Sequence, residues 1–228
     1  DAPSGWAKCN GQQFPIDFYP DLYAVLGTRF GGDGVNFFAL PKLDSPVPGT
    51  SYYIAIVGQV PEAGVLSGFT VGQIELFPYA PPGWVPCNGA KLNKQYNTAL
   101  FSLLGYSFGG EGNAFAIPDL RSAEPDENIH YYMALFGLYP SQGSYAGASG
   151  NWSNYVGSIN LHPRNETFGG ESECDGGLLS TVSYDFHHSV IHYTFGGIGE
   201  SFAKPDLRGF APHPALAFYI VTTGVNPY

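Results

Sequence analysis

Charge is what this 228-residue sequence has least of: Asp, Glu, Lys and Arg make up 12% of it, against roughly a quarter in ordinary globular domains. What charge there is leans acidic, nine basic residues against nineteen acidic for a net charge of -10. The counterion-release attraction that draws proteins onto phosphate backbones therefore has the wrong sign, which argues against nucleic acid and anionic membrane surfaces as partners. Long apolar runs are missing too. "YYIAIVG" at 52–58 and "LAFYIV" at 216–221 fall far short of the roughly 20 residues of a spanning helix, so no membrane span is expected. Cysteine is scarce, with three residues and neither a CxxC nor a CxxCH among them, which leaves zinc ribbons and haem attachment without ligands. The sequence opens on Asp1 rather than Met, the form of a chain after signal-peptide removal, so the expected location is extracellular or at the cell surface.

Aromatics and glycine fill the space that charge vacates. Sixteen Tyr, 17 Phe and 31 Gly give a neutral, flat and aromatic surface. Much of the glycine sits in one recurring phrase, "FGGDGVNFFALPKL" from Phe30, "FGGEGNAFAIPDL" from Phe108 and "FGGIGESFAKPDL" from Phe195. Cys9, Cys87 and Cys174 mark the same period, 78 and then 87 residues apart. Matching pieces flank them in a fixed order, so the repetition covers nearly the whole chain. A period near 80 is that of a small domain and not of a solenoid unit. The expected organisation is an α+β fold of three tandem small domains, 1–62, 69–140 and 154–228, each with short strands, one short helix and glycine-rich loops.

The second copy shows the local physics. Ile74 and Leu76 alternate with Gln73 and Glu75, the period of a strand with one buried face, and Pro81-Pro82-Gly83 ends it. Trp84-Val85-Pro86-Cys87 is extended, and Asn88-Gly89 reads as the turn of a hairpin. From Asn97 to Leu104, Leu100, Leu103 and Leu104 follow helical spacing up to a stop at Gly105; in the first copy Pro20 opens the helix and Gly27 stops it. The FGG stretch is expected as a tight loop rather than an element. "YYMALFG" suits a strand covered on both faces.

The ordered motifs "GWxxCNG", "LFSLLG" and "FGGxGxxxFxxPDLRG" resemble the phage tail collar domain, also found in secreted bacterial proteins called Microcystis-dependent proteins. The resemblance implies a part of a tail fibre or of a secreted surface structure and carries no catalytic residue. The copies depart from one another: Ser172 is read at the place of Trp6 and Trp84, Ile198 replaces the acid of the glycine loop, and Asp44 replaces Arg121 and Arg208.

Reactive chemistry finds little support. One cysteine per copy at one equivalent place suits free, buried thiols, with an interchain or interdomain bridge as the alternative. His187, His188 and His192 form the only histidine cluster; His188 and His192 have the spacing of a metal pair on a helix, but ordinary helix residues replacing Leu100, Phe101 and Gly105 are the simpler reading. Asp33 and Glu111 supply one acid per loop, too few oxygen ligands for calcium and suited to a turn. Asp119 with Arg121, and Asp206 with Arg208, read as local ion pairs. No catalytic residue, cofactor or metal site is assigned, and no enzyme is expected. Asn151 and Asn165 head glycosylation sequons.

The first copy lacks the opening strand that precedes Gly83 in the second and has its counterpart at 156–161 in the third. The edge around Gly5, Trp6 and Ala7 is then the expected place for a strand from another chain, and copies of the protein itself are the expected partners in a head-to-tail filament. The Gly-, Ser- and Tyr-rich stretch 139–154 reads as a linker or as the donor. The alternative function is a tail-fibre-like adhesin whose aromatics stack on surface glycans.

Overall fold

The computed structural model describes residues 2, 5–45, 49–58, 71–137, 139, 156–164 and 170–224. Short strands around one helix recur along the chain, in the same order in the second and third runs. The first repeat runs β1 (Trp6–Lys8), β2 (Gln13–Pro15), α1 (Pro20–Leu26), β3 (Phe37–Ala39) and β4 (Tyr53–Ala55). In the second, β5 (Ile74–Phe77) precedes β6 (Trp84–Pro86), β7 (Lys91–Asn93), α2 (Thr98–Leu104), β8 (Gly110–Glu111), β9 (Ala114–Ala116) and β10 (His130–Ala134). The third repeats that order as β11 (Ile159–Pro163), β12 (Glu171–Glu173), β13 (Leu178–Ser180), α3 (Asp185–Ile191), β14 (Gly197–Ile198), β15 (Ser201–Ala203) and β16 (Leu216–Val221). The class is mixed α+β, as the sequence pattern implies.

Each helix is where its spacing puts it. Leu100, Leu103 and Leu104 bury one face of α2, and Gly105, at φ 53°, donates its N–H to Phe101 O to close the last turn. Gly27 ends α1 in the same way, whereas α3 ends on His192, the one described non-glycine residue at positive φ (49°).

The glycine phrase is more ordered than a loop. Gly110 sits at φ 102°, and a Cβ there would lie 2.4 Å from Ala114 O and 2.6 Å from Phe115 Cα. Only a bare Cα allows that approach, and it lets the two-residue β8 pair with β9, whose other edge takes β7. β13, β15 and β14 repeat the arrangement, with Gly197 at φ 98° against Phe202.

The hairpin expected at Asn88-Gly89 does not form. β6 pairs with β10, while β7 pairs with β9, so Gly89, at φ 78°, carries the chain from one sheet to another. "YYMALFG" does form a strand covered on both faces: Tyr131, Tyr132, Met133 and Ala134 of β10 are all buried.

The larger sheet has six strands in the order β12-β16-β11-β5-β10-β6. Its middle is the antiparallel meeting of β11 and β5, with Leu161 opposite Ile74, so the opening strands of the third and second repeats join the two through one sheet. One apolar core accordingly combines Ile74, Leu100, Leu104, Phe115 and Met133 with Leu161 and Leu216. The first repeat has its own core of Ala7, Leu26, Phe38 and Leu40, and among the described residues its counterpart of the large sheet is the pair β1 and β4.

Strand register corrects one alignment. Trp6 faces Ala55 and Trp84 faces Ala134, and the residue that faces the equivalent Val221 is Glu171; Ser172 stands one place later, against Ile220.

Candidate assembly edge

The last strand of each repeat can be compared bond by bond. On β10, one side is used by the first strand of its repeat: Cys87 N–H donates to Tyr131 O (2.8 Å) and Leu135 N–H to Gly83 O (2.9 Å). The other side is used by the opening strand, with Ala134 N–H donating to Gln73 O (2.9 Å) and Ala134 O accepting from Gly72 N–H (3.0 Å). On β16 the pattern is the same: Cys174 N–H reaches Phe218 O (2.8 Å) on one side, and Val221 exchanges bonds with Ser158 O and Gly157 N–H (2.9 Å each) on the other.

On β4 only half of this exists. Cys9 N–H donates to Tyr52 O (2.9 Å) and Ile56 N–H to Gly5 O (2.9 Å). Ala55, the counterpart of Ala134 and Val221, turns its N–H and C=O to the far side, as does Tyr53. Among the described residues these groups meet no hydrogen-bond partner. A row of unpaired strand amides and carbonyls is a template for another strand.

Side chains tell the same story. In the second repeat the opening segment lies across α2: a Cβ on Gly72 (φ +83°) would be 3.3 Å from Leu103 Cδ1 and 3.6 Å from Leu100 Cδ1. Gly157 (φ +89°) approaches Val190 and Ile191 of α3 in the same way. Beneath this cover Leu100, Leu103, Met133 and Ile220 are buried. Their first-repeat counterparts, Leu22, Val25 and Ile54, are half-buried, and together with Ile56 they wall a groove beside β4.

Gly5, Trp6 and Ala7 lie on the occupied side. Gly5 O accepts from Ile56 N–H, Trp6 is registered with Ala55, and Ala7 is buried in the core. The edge that lacks a partner is therefore across β4 from them. Asn151, Asn165 and all of 139–154 except Tyr139 lie outside the described residues.

The other singled-out residues are structural. Cys9, Cys87 and Cys174 are free and buried, and burial pushes all three thiols up, Cys9 to about 12, so none is a ready nucleophile. Asp33 is a turn residue: its carboxylate accepts from the backbone N–H groups of Val35, Asn36 and Phe37 at 2.8–2.9 Å, which holds its pKa down at about 2. Asp119 with Arg121 and Asp206 with Arg208 form exposed ion pairs at 2.6 Å. His187 replaces Leu100 in the core and packs edge-on against Phe202, while His188 and His192 also meet edge to face, with ring centroids 5.8 Å apart. Among the described residues no group of three or more His, Cys, Asp or Glu is placed to hold a metal, and no helix is long and apolar enough to cross a membrane.

Two features went unread in the sequence. At the seam between β5 and β11, Glu171 takes a hydrogen bond from Asn160 (2.8 Å) and contacts His162 Nε2 (3.1 Å), and Gln73 donates to Glu75. Burial, eased by the Gln73 bond and by His162, raises the Glu75 carboxyl to about 7. The signal was available, since Glu171, Asn160 and His162 occupy the places of Trp84, Glu75 and Phe77. The second feature is an aliphatic triad, Leu178, Val182 and Ile198, exposed where the second repeat has Lys91, Gln95 and Glu111.

The described residues form small α+β units whose sheets meet through strand edges. The phage tail collar domain model matches the chain over residues 1–48 and 72–125, within the first two repeats. The matched residues make up a little under half of the chain. No curated protein and no solved structure matches the chain.

Proposed function

We propose that the protein is a non-enzymatic structural subunit of three collar-like domains, 1–62, 69–140 and 154–228, that assembles head-to-tail into an extracellular fibre. The observation that carries this reading is the one-sided bonding of β4: the outward N–H and C=O of Ala55 have no partner among the described residues, whereas Ala134 and Val221 are paired on both sides. An edge at one end of a chain, filled by a segment of the next chain, is a heterologous contact, and such contacts propagate into filaments unless the rotation closes a ring. Low charge lets copies of a chain with net charge -10 approach through neutral, aromatic surfaces.

Ala55→Pro tests the proposal. The proline removes only the outward N–H, leaving the bonds from Cys9 and Ile56 that hold β1 to β4. Negative-stain microscopy and sedimentation of concentrated protein, with intact mass verified, are expected to show filaments for the parent chain and monomers for the variant. A parent chain that stays monomeric at high concentration removes the filament reading.

A glycan-binding fibre tip is the second reading, favoured by Phe18 and Tyr96. These equivalent residues just ahead of α1 and α2 expose most of their aromatic surface. Flat exposed rings stack on sugars, and a glycan array probed with the parent chain and with a Phe18→Ala, Tyr96→Ala double variant separates this reading from assembly alone.

A further inference from the structure

We infer that the groove beside β4 is a binding site for an extended segment of a second polypeptide with the pattern apolar-Gly-x-Ile-x-aliphatic, running antiparallel to β4. This deepens the proposed function and rests on its reading of the open edge.

The chemistry of the occupant follows from the two equivalent grooves that are already filled. Their occupants read Val71-Gly-Gln-Ile-Glu-Leu-Phe-Pro78 and Val156-Gly-Ser-Ile-Asn-Leu-His-Pro163, and five of the eight positions are shared, Val, Gly, Ile, Leu and the closing Pro. Each shared position has a physical reason. Val71 and Val156 are buried at the helix end. Gly72 and Gly157 combine positive φ with contact to helix side chains at 3.0–3.6 Å, so a side chain there is excluded twice over. Ile74 is buried against Leu100, Leu104 and Met133, and the polar residues between point to the opposite face of the sheet.

The first repeat keeps the receiving half of this arrangement. Tyr53 matches Tyr132 and Tyr219, Leu22 matches Leu100, Val25 matches Val190, and Ile54 matches Ile220, so the walls that hold Val71-Gly72-x-Ile74 in the second repeat are present beside β4. Backbone pairing through Tyr53 and Ala55 supplies register, and the glycine requirement supplies specificity. An alanine in its place must push aside Leu22 or Val25 and adopt a backbone that L-residues avoid.

The test uses the full chain, at a concentration below any assembly, and a fluorescent peptide of sequence Val71–Pro78. Saturable anisotropy with one peptide per chain is expected, with competition by unlabelled Val156–Pro163 peptide. Replacing the peptide's Gly72 by Ala is expected to weaken binding at least about tenfold, and Ala55→Pro in the chain to abolish it. Val25→Glu, at a half-buried wall position, is a second variant that blocks the groove by charge without touching the strand; circular dichroism checks that both variants fold. Hydrogen exchange gives the location, through new protection at the Tyr53 and Ala55 amides. No saturable binding, binding indifferent to the glycine, or amides already protected in the free monomer would each overturn the inference. A chain that forms filaments yet ignores the peptide sinks this assignment and leaves the assembly reading standing. A chain that binds the peptide yet never assembles does the reverse.

Discussion

His187 is the residue at which the third repeat departs most from the others. It is fully buried where the second repeat has Leu100, and neither ring nitrogen has a hydrogen-bond partner among the described residues. Burial, with a smaller push from Lys204, lowers its pKa to about 4. A histidine depressed in the folded state takes its proton more readily when unfolded. Its stability contribution is therefore complete above the ordinary value of 6.5 and is lost as pH falls toward 4. His187→Leu is expected to raise stability by about 1–3 kcal/mol at pH 7 and to flatten the loss between pH 6.5 and 4, read by urea unfolding at several pH values. The glycine phrase has the opposite sensitivity. Gly110→Ala places a methyl 2.4 Å from Ala114 O at φ 102°, and a loss of about 3 kcal/mol or more is expected in the same assay. The loop is also tied down by a hydroxyl. Tyr106 and Tyr193 donate to Gly112 O and Gly199 O at 2.7 Å, and in the first repeat, where Thr28 stands in their place, Tyr23 reaches Gly34 O from the helix at 3.2 Å.

At the scale of elements, cover decides what a side chain is worth. Leu100 lies under the opening segment and Leu22, its counterpart, does not. Leu100→Ala is expected to cost about 2–5 kcal/mol, and Leu22→Ala clearly less in the monomer, with the gap closing in assembled protein; thermal unfolding on both sides of the assembly threshold measures it. The helices and the continuously buried β10 were legible because spacing and local stop signals determine them: Leu100, Leu103 and Leu104 need only their own helix and Gly105. The destination of a strand is not a local property. Asn88-Gly89 has the composition of a hairpin turn, but whether the strands on either side meet depends on β9 and β10, which arrive more than twenty residues later. The sequence pattern places the expected edge at Gly5, Trp6 and Ala7. The position of the open edge on the far side of β4, and not at Trp6, needed the register.

For the whole molecule, the joint between the second and third repeats is a further place where pH acts, with the opposite sign to His187. Glu75 sits at that joint with its carboxyl raised to about 7, so the folded chain holds a proton there that the unfolded chain has released by pH 4.5. Its contribution to stability is therefore fully present below pH 4.5 and is lost as pH rises through about 7, by at most about 1.4 kcal/mol per pH unit. Glu75→Gln is expected to remove that slope and to hold the seam more firmly at pH 8, visible as slower hydrogen exchange in β5 and β11. The three thiols add a different consequence. Because each apolar interior shelters one cysteine, a maleimide added to the unmodified protein becomes a set of three independent clocks, each started by the breathing of its own compartment. Peptide mapping of the adducts over time then ranks the compartments without any engineered probe, and Cys9, in the repeat whose last strand is paired on one side only among the described residues, is expected to be tagged first and to fall silent once filaments grow.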